Sequence, residues 1–440
     1  MAEPHPTARK KVLVITYYWP PSGGAGVQRF LKFVKYLPGF GLDPVVLTCS
    51  NPTYPIQDPT LTADIPDGVP VHYARTIEPF GVYGRMSGMS PEQAANPATV
   101  LGSWDNSLQR MARWFRANLF VPDARIGWVP FARLKARKLI REYGIDTVIT
   151  TGPPHSTHFA GSWLKRKTGI RWVADFRDPW TDIHYNRALP RTRFIRNCDL
   201  RMETSILRDA DEITVTAPGT ARYFSQKVDR TYHTIPNGFD PDDFSKSDPS
   251  PENNLFVIRH VGSITETCVP ENLLRALKQL SNPRIVMEFI GVVHHDVGKL
   301  VRKLGLDDNV SIHPYLPHKE AIRLMQHADI NVVVVHRSDD SRILIPGKLY
   351  DYLKAGRPVM VIGPPDGDAA AIVRRCRIGE SFDYEDVRGP AAWIAKLASQ
   401  KTGGGTSTGK NHSPDQKEIQ NYSRPELTRR LAVLLTEKTI

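Results

Sequence analysis

Short β-branched runs alternate with helical stretches along almost the whole chain. The pattern runs through two successive halves and constrains the fold more than any other feature. In the first half, residues 11–16, 45–48, 146–151, 171–174, 212–216 and 232–235 read as strands. In the second half, residues 255–261, 286–290, 310–313, 330–335 and 359–362 do the same. Strand and helix in alternation produce parallel sheets covered on both faces, so the expected fold is α/β with two doubly wound parallel sheets. The polar, proline-bearing segment 241–254 is the expected linker. The expected division is a first domain over 1–240, a second over 255–420, and a terminal helix over 421–440. Residues 51–97, rich in proline, glycine and polar side chains, are expected to contain loops, and 401–416 is expected to be a flexible insertion.

A chain of 440 residues has room for two domains, each with its own core. Hydrophobic residues at 40% and charged residues at 24% describe a soluble globular protein. The four cysteines, Cys49, Cys198, Cys268 and Cys376, form no CxxC pair, which argues against a structural zinc site and for a reduced compartment. Residues 12–16 are strand-like and too short for a signal-peptide core. No run approaches the ~18 apolar residues of a membrane span. The net charge of +12 favours anionic partners.

Two stretches carry anion-binding chemistry. The first, Gly23-Gly24-Ala25-Gly26, lies between a strand and a helix in which Val27, Phe30, Leu31 and Val34 share one face. This is a Rossmann-like βα turn. Arg29 occupies the third glycine position of the dinucleotide fingerprint, which counts against a nicotinamide cofactor. A tight turn that needs only small residues is the alternative. The second stretch is residues 341–365. Pro346 suits a first helical turn, Gly356 ends the helix, and residues 359–362 form the next strand. Gly347 and Lys348 therefore sit at a helix N-terminus, where exposed N–H groups and an ammonium attract a phosphate or diphosphate. An ordinary αβ unit with a surface lysine is the other reading.

Other candidates stand at strand ends. Residues 146–151 deliver Gly-Pro-Pro-His155-Ser-Thr-His158, and residues 171–174 deliver Asp175-Phe-Arg177-Asp178-Pro-Trp180. Ligands of open α/β sheets bind beyond the carboxyl ends of strands, so His155, Arg177 and Asp178 belong to one rim. A structural Asp–Arg ion pair is the competing interpretation. His155 and His158 lack the carboxylate partners of a metal motif, and no metal is expected. Nine basic residues and one acidic residue occupy 110–141. There Leu108, Met111, Phe115 and Leu119 form an apolar stripe beside Arg110, Arg113 and Arg116. Such a helix either lies on an anionic membrane or packs on its own domain with solvated arginines.

Together these segments resemble the GT-B glycosyltransferases, in particular glycosyltransferase family 4, over nearly the whole chain. The resemblance rests on Tyr-Tyr-Trp-Pro-Pro-Ser-Gly-Gly-Ala-Gly-Val-Gln-Arg, Gly-Pro-Pro-His-Ser-Thr-His, Ala-Asp-Phe-Arg-Asp-Pro-Trp, Ile-Pro-Asn-Gly-Phe-Asp, His-Val-Gly-Ser and Ile-Pro-Gly-Lys-Leu-Tyr-Asp-Tyr-Leu-Lys-Ala-Gly-Arg-Pro. It implies an acceptor domain, a nucleotide-sugar domain, an interdomain cleft and a last helix that crosses back to the first domain. It also implies metal-independent transfer with retained anomeric configuration, a nucleotide diphosphate sugar as donor substrate and no cofactor. Carried onto this chain, Gly23 and Gly24 resemble the loop near the donor diphosphate. Gly347 and Lys348 would stabilise the leaving group, and Arg259 and Ser263 would contact phosphate. Tyr315 would face the base, and Asp351 would bind ribose or sugar hydroxyls. Arg177 stands where many members have a catalytic-site histidine, Asp178 follows it, and His155 would orient the acceptor. Three positions depart from the pattern: Ile343 replaces the first of two paired glutamates, Asp351 shortens the second, and Cys268 replaces a basic residue.

The implied activity moves a sugar to a glycan or lipid-linked acceptor of the cell envelope. Its expected place is cytoplasmic, with the inner face of the plasma membrane as a further partner. A sugar-nucleotide epimerase of the same fold is the second reading. A basic membrane- or nucleic-acid-binding module is the third, but the chain has no nucleic-acid motif or aromatic platform, and no nucleic-acid partner is expected.

Overall fold

A computed structural model describes residues 9–54, 57–95, 107–244, 255–402 and 413–437. The chain divides into two compact units, Met1–Pro236 with Leu427–Ile440, and Asn237–Glu426.

The first unit holds seven parallel strands: β1 (Lys10–Ile15), β2 (Leu42–Cys49), β3 (Val71–Ala74), β4 (Thr147–Gly152), β5 (Arg171–Phe176), β6 (Glu212–Val215) and β7 (His233–Thr234). Their order is β3-β2-β1-β4-β5-β6-β7. Leu13 lies beside Val45 on one flank and Val148 on the other. The order reverses between β1 and β4, which opens a crevice at their carboxyl ends. Side-chain alternation sends Leu13 and Ile15 into one apolar layer and Val12 and Val14 into the other. The second layer also takes Leu427, Leu431, Leu434 and Leu435 of the last helix, Arg424–Thr436. Fully burying such a side chain stabilises by about 1.5–3 kcal/mol. Lys10 and Arg171 add hydrogen bonds to the carbonyls of Leu435 and Leu434.

The second unit holds β8 (Phe256–Val261), β9 (Ile285–Ile290), β10 (Val310–His313), β11 (Ile330–Val334), β12 (Val359–Ile362) and β13 (Gly379–Phe382). They form a parallel sheet in the order β10-β9-β8-β11-β12-β13, with the reversal between β8 and β11. Helices Asp368–Arg375 and Arg388–Thr402 complete its layers.

Two stretches also hold regular structure. Residues 51–97 contain β3, a short 3-10 helix at Pro59–Asp64 and helices at Phe80–Ser87 and Pro91–Ala95. Within the expected linker, Pro241–Asp243 form a 3-10 turn capped by the Asp240 carboxylate, and Phe244 packs on the second unit's core. Residues 245–254 lie outside the described residues, as do 403–412 of the expected insertion.

Candidate functional site

In the second unit the sequence concentrates chemistry at the end of β8. His260 is buried and Ser263 is exposed. Between them Gly262 takes φ of 120°, a backbone region that favours glycine. Helix Lys348–Ala355 begins beside this turn, with Gly347 as its N-cap. The Lys348 Nζ lies 2.9 Å from His260 Nε2. On the far side of the ring, Nδ1 is 3.0 Å from the Val332 carbonyl. A carbonyl only accepts, so Nδ1 carries the proton and Nε2 accepts from the lysine. Burial and the neighbouring ammonium hold the His260 pKa well below its usual range, and the imidazole stays neutral. Burial also lowers the Lys348 pKa, to about 8. A Cβ at position 262 would lie 2.5 Å from Lys348 Nζ, so this lysine's position requires glycine there. An ammonium, a helix N-terminus and a turn without side-chain bulk thus converge, an arrangement that attracts anions.

Other predicted donor contacts lie differently. Asp351 occupies the first turn of the same helix, one turn beyond Lys348, where a carboxylate also suits the helix dipole. Tyr315 is 68% exposed, two residues past edge strand β10. Arg259 is a correction. It lies within β8 rather than at its end, and alternation turns it away from the His260 face. Its guanidinium is 2.5 Å from Glu288 and 2.8 Å from the Leu324 carbonyl. Through Nε and one terminal nitrogen it fastens β8 to its neighbours.

In the first unit, Gly23 precedes Gly24, whose φ of 91° caps helix Ala25–Tyr36. The rim beyond β4 and β5 collects His155, Arg177 and Asp178. Arg177 donates to the carbonyls of Gly26, Gly152 and Pro153. It ties the glycine turn after β1 to the turn after β4. Asp178, half-buried, adjoins it. The structure adds a pair that the sequence reading missed. Arg29 and Asp175 are both 1% exposed and meet at 2.7 Å. Arg29 also donates to the carbonyls of Ile235 and Pro236, while Asp175 accepts from Thr151 and Thr214. The arginine in the missing-glycine position is therefore the structural centre of this unit.

The two histidines differ. His158 Nδ1 lies 2.9 Å from Thr150 Oγ1, which accepts from Trp172, and burial lowers the His158 pKa to about 3. It is a core residue. His155 is 6% exposed and stacks on Trp180, with ring centroids 5.0 Å apart and planes 5° from parallel. Neither of its ring nitrogens has a hydrogen-bond partner among the described residues. Burial holds its pKa well below 6.5, so it is a hydrogen-bonding group and a poor general base. Among the described residues, His294, His295 and Asp296 are compact enough to hold a cation, with ligand atoms within 4.8 Å of one another. The Asp296 carboxylate is already 2.9 Å from Lys299.

Helix Ser107–Leu119 turns Met111, Phe115 and Leu119 of its apolar stripe outward. Ala112, Ala117 and Asn118 face inward, whereas Met111, Trp114, Phe115 and Leu119 are 40–65% exposed. The inner face has room only for small side chains against Phe80 and Ala94–Ala95. Arg113 donates to the Ala188 carbonyl and Arg116 to that of Ala94, so these two turn toward the protein, while Arg110 is exposed. The side chain of Leu108 lies outside the described residues.

Comparison with known proteins places this geometry. Residues 23–238 match the sequence profile of the glycosyl transferase 4-like domain. No curated protein sequence matches the chain significantly. Among solved structures, the sucrose-phosphate synthase of Thermosynechococcus elongatus superposes with a TM-score of 0.62 at 15% identity, covering 97% of this chain and 98% of that one. A glycosyltransferase from Rickettsia africae gives 0.62 at 13% identity, covering 98% and 100%. The HepE protein of Anabaena, solved with UDP, gives 0.59 at 14% identity, covering 97% and 96%. Such identities speak for the fold, and the matched domain speaks for the activity: the chain carries a glycosyl transferase 4-like domain on a GT-B fold, and it is a glycosyltransferase.

Proposed function

We propose that this glycosyltransferase takes its sugar from a nucleotide diphosphate sugar and passes it, with retention and without a metal ion, to a glycan or lipid-linked acceptor of the cell envelope. The observation that carries this reading is Lys348, held over Gly262 by neutral His260. In glycosyl transfer the leaving diphosphate gains negative charge as the sugar–oxygen bond breaks. A preorganised ammonium and helix N-terminus stabilise that charge more in the transition state than in the ground state. They provide the electrostatic help that a divalent cation gives elsewhere. Asp175, the buried carboxylate below the rim, is committed to Arg29, Thr151 and Thr214, which supports direct transfer over a covalent glycosyl-enzyme. The UDP and UDP-glucose complexes of the HepE protein favour a uridine nucleotide as the first donor to try.

Thermal unfolding with UDP-, GDP-, ADP- and dTDP-sugars tests the donor. The cognate one should raise the melting temperature, since a ligand at 100 times its Kd stabilises by about 2.7 kcal/mol. Products formed from donor alone should include no epimer. A flat panel, or an epimer as the main product, removes this reading.

The protein's proposed place is the inner face of the plasma membrane. No described helix is long and apolar enough to cross a membrane. The outer face of helix Ser107–Leu119 instead offers Met111, Trp114, Phe115 and Leu119 beside Arg110, which suits an interfacial helix on an anionic bilayer. Flotation with anionic liposomes should retain the protein. Trp114→Glu with Leu119→Glu should release it, and retention of that double variant would return the helix to a solvated face.

A further inference from the structure

In the second unit, the loop after β9 runs Gly291-Val292-Val293-His294-His295-Asp296 into helix His295–Leu304. Backbone hydrogen bonds fix its path. The Ile264 amide donates to the Val292 carbonyl and the His294 amide to the Ile264 carbonyl, both at 2.9 Å. The Gly291 amide donates to the His313 carbonyl at 3.0 Å. Gly291 lies against the Gly262 turn, where a Cβ on it would be 2.7 Å from the Gly262 carbonyl oxygen. Three side chains with metal-ligating atoms project from this fixed backbone. His294 Nδ1 lies 3.4 Å from one Asp296 carboxylate oxygen, and His295 Nε2 lies 3.2 Å from the other. The two imidazole rings stand 4.2 Å apart, centroid to centroid.

Zinc bonds imidazole nitrogen and carboxylate oxygen at about 2.0–2.2 Å, which sets tetrahedral ligand atoms roughly 3.3–3.5 Å apart. The two nitrogen–oxygen distances fit that spacing. His294 Nδ1 also accepts from the Asp296 amide at 3.5 Å, so it presents a lone pair. A lone pair and a carboxylate oxygen facing each other call for a cation between them. A proton on each ring is the competing occupant, and the test separates the two. We infer that His294, His295 and Asp296 bind a divalent cation of the zinc, copper or nickel type. Imidazole donors select such ions over magnesium and calcium, which take oxygen ligands. Lys299 donates to Asp296 Oδ1 at 2.9 Å and leaves Oδ2 for the metal, and ligating carboxylates are commonly held by such outer hydrogen bonds. His295 is exposed, which gives the ion a way in. The cation takes no part in sugar transfer. It clamps the loop whose backbone packs on the Gly262 turn, and the inference stands apart from the transfer reading.

The test titrates zinc and copper chlorides into the untagged full-length protein by calorimetry. One ion should bind per chain, and zinc should raise the melting temperature, because it binds only the folded arrangement of ligands. The electron paramagnetic resonance of the copper form should carry the splitting of two imidazole nitrogens. His294→Asn keeps a good N-cap and removes one imidazole, and His295→Gln removes the other at an exposed position. Each should weaken zinc binding at least about tenfold and cancel the thermal shift. The metal-free variants should unfold at the temperature of the metal-free wild type, which shows that the fold is intact. Zinc that does not bind, that binds both variants as it binds the wild type, or that equimolar magnesium displaces overturns the assignment. So does a copper spectrum without two nitrogen donors, the result expected if protons alone bridge the rings to Asp296. None of these outcomes bears on the donor, which the nucleotide-sugar panel decides.

Discussion

Arg29→Met is expected to destabilise the first unit by about 3–5 kcal/mol, the usual cost of leaving one charge of a buried pair alone. Asp175 would keep only the hydroxyls of Thr151 and Thr214, and the carbonyls of Ile235 and Pro236 would lose their donor. Tryptophan fluorescence during urea unfolding reads this unit selectively, because Trp393 is the one tryptophan outside it. Adding Asp175→Asn should recover part of the loss, since no unpaired charge then remains. The pH dependence has a definite sign. Burial alone would raise the Asp175 pKa, but Arg29 and the hydroxyls bring it below 3.8. The pair's stabilisation is thus present above the unfolded carboxyl pKa and lost as pH falls through the folded one. In Arg29→Met the carboxylate keeps its burial without the guanidinium and takes up a proton at higher pH. The gap between variant and wild type should therefore narrow as pH drops toward 4. A gap that is small at pH 7, or constant with pH, means that the pair does not organise the unit.

The alternation of β-branched runs and helices revealed the interior strands because buried parallel strands are nearly continuous apolar runs. β3 and β13 escaped because they are edge strands of four residues, Val-His-Tyr-Ala and Gly-Glu-Ser-Phe, with little apolar signal. Gly347 and Lys348 were legible because helix start signals are local. His260 was the missed partner: its contact with Lys348 joins residues 88 positions apart, and no pattern within either segment reports it. The partners of Arg259 and Arg177 were illegible for a related reason. Proximity to a strand end in sequence does not say which face a side chain takes or which carbonyls its five N–H groups meet. Periodicity on helix Ser107–Leu119 identified an apolar face but not its direction, because Ala112 and Ala117 cover the inside with little hydrophobic signal. Arg29 could have been caught: an arginine in a third-glycine position, on a core-facing helix, needs a buried acid, and Asp175 at the end of a strand is the natural one.

Donor binding should weaken with rising pH, and Lys348 should be the cause. In the free protein its pKa is about 8, lowered by burial. A bound diphosphate favours the charged form and raises that pKa. Below pH 8 the ammonium is already present, so affinity is flat. Above pH 8 binding must take up a proton, and Kd should rise roughly tenfold per pH unit until the bound-state pKa is reached. Calorimetry with a nucleoside diphosphate in two buffers of different ionisation enthalpy counts that proton: near zero at pH 7, approaching one at pH 9. His260 does not contribute in this window, because its pKa is already well below 6.5 and the ring is neutral throughout. Lys348→Met should abolish the proton uptake, flatten the pH profile and lower kcat by about 10²–10³-fold, as loss of a transition-state donor does elsewhere. If Lys348→Met retains the pH dependence, the titrating group is another residue and the diphosphate does not sit over Gly262. If it loses affinity but keeps kcat, the ammonium holds donor and transition state equally and contributes binding without catalysis.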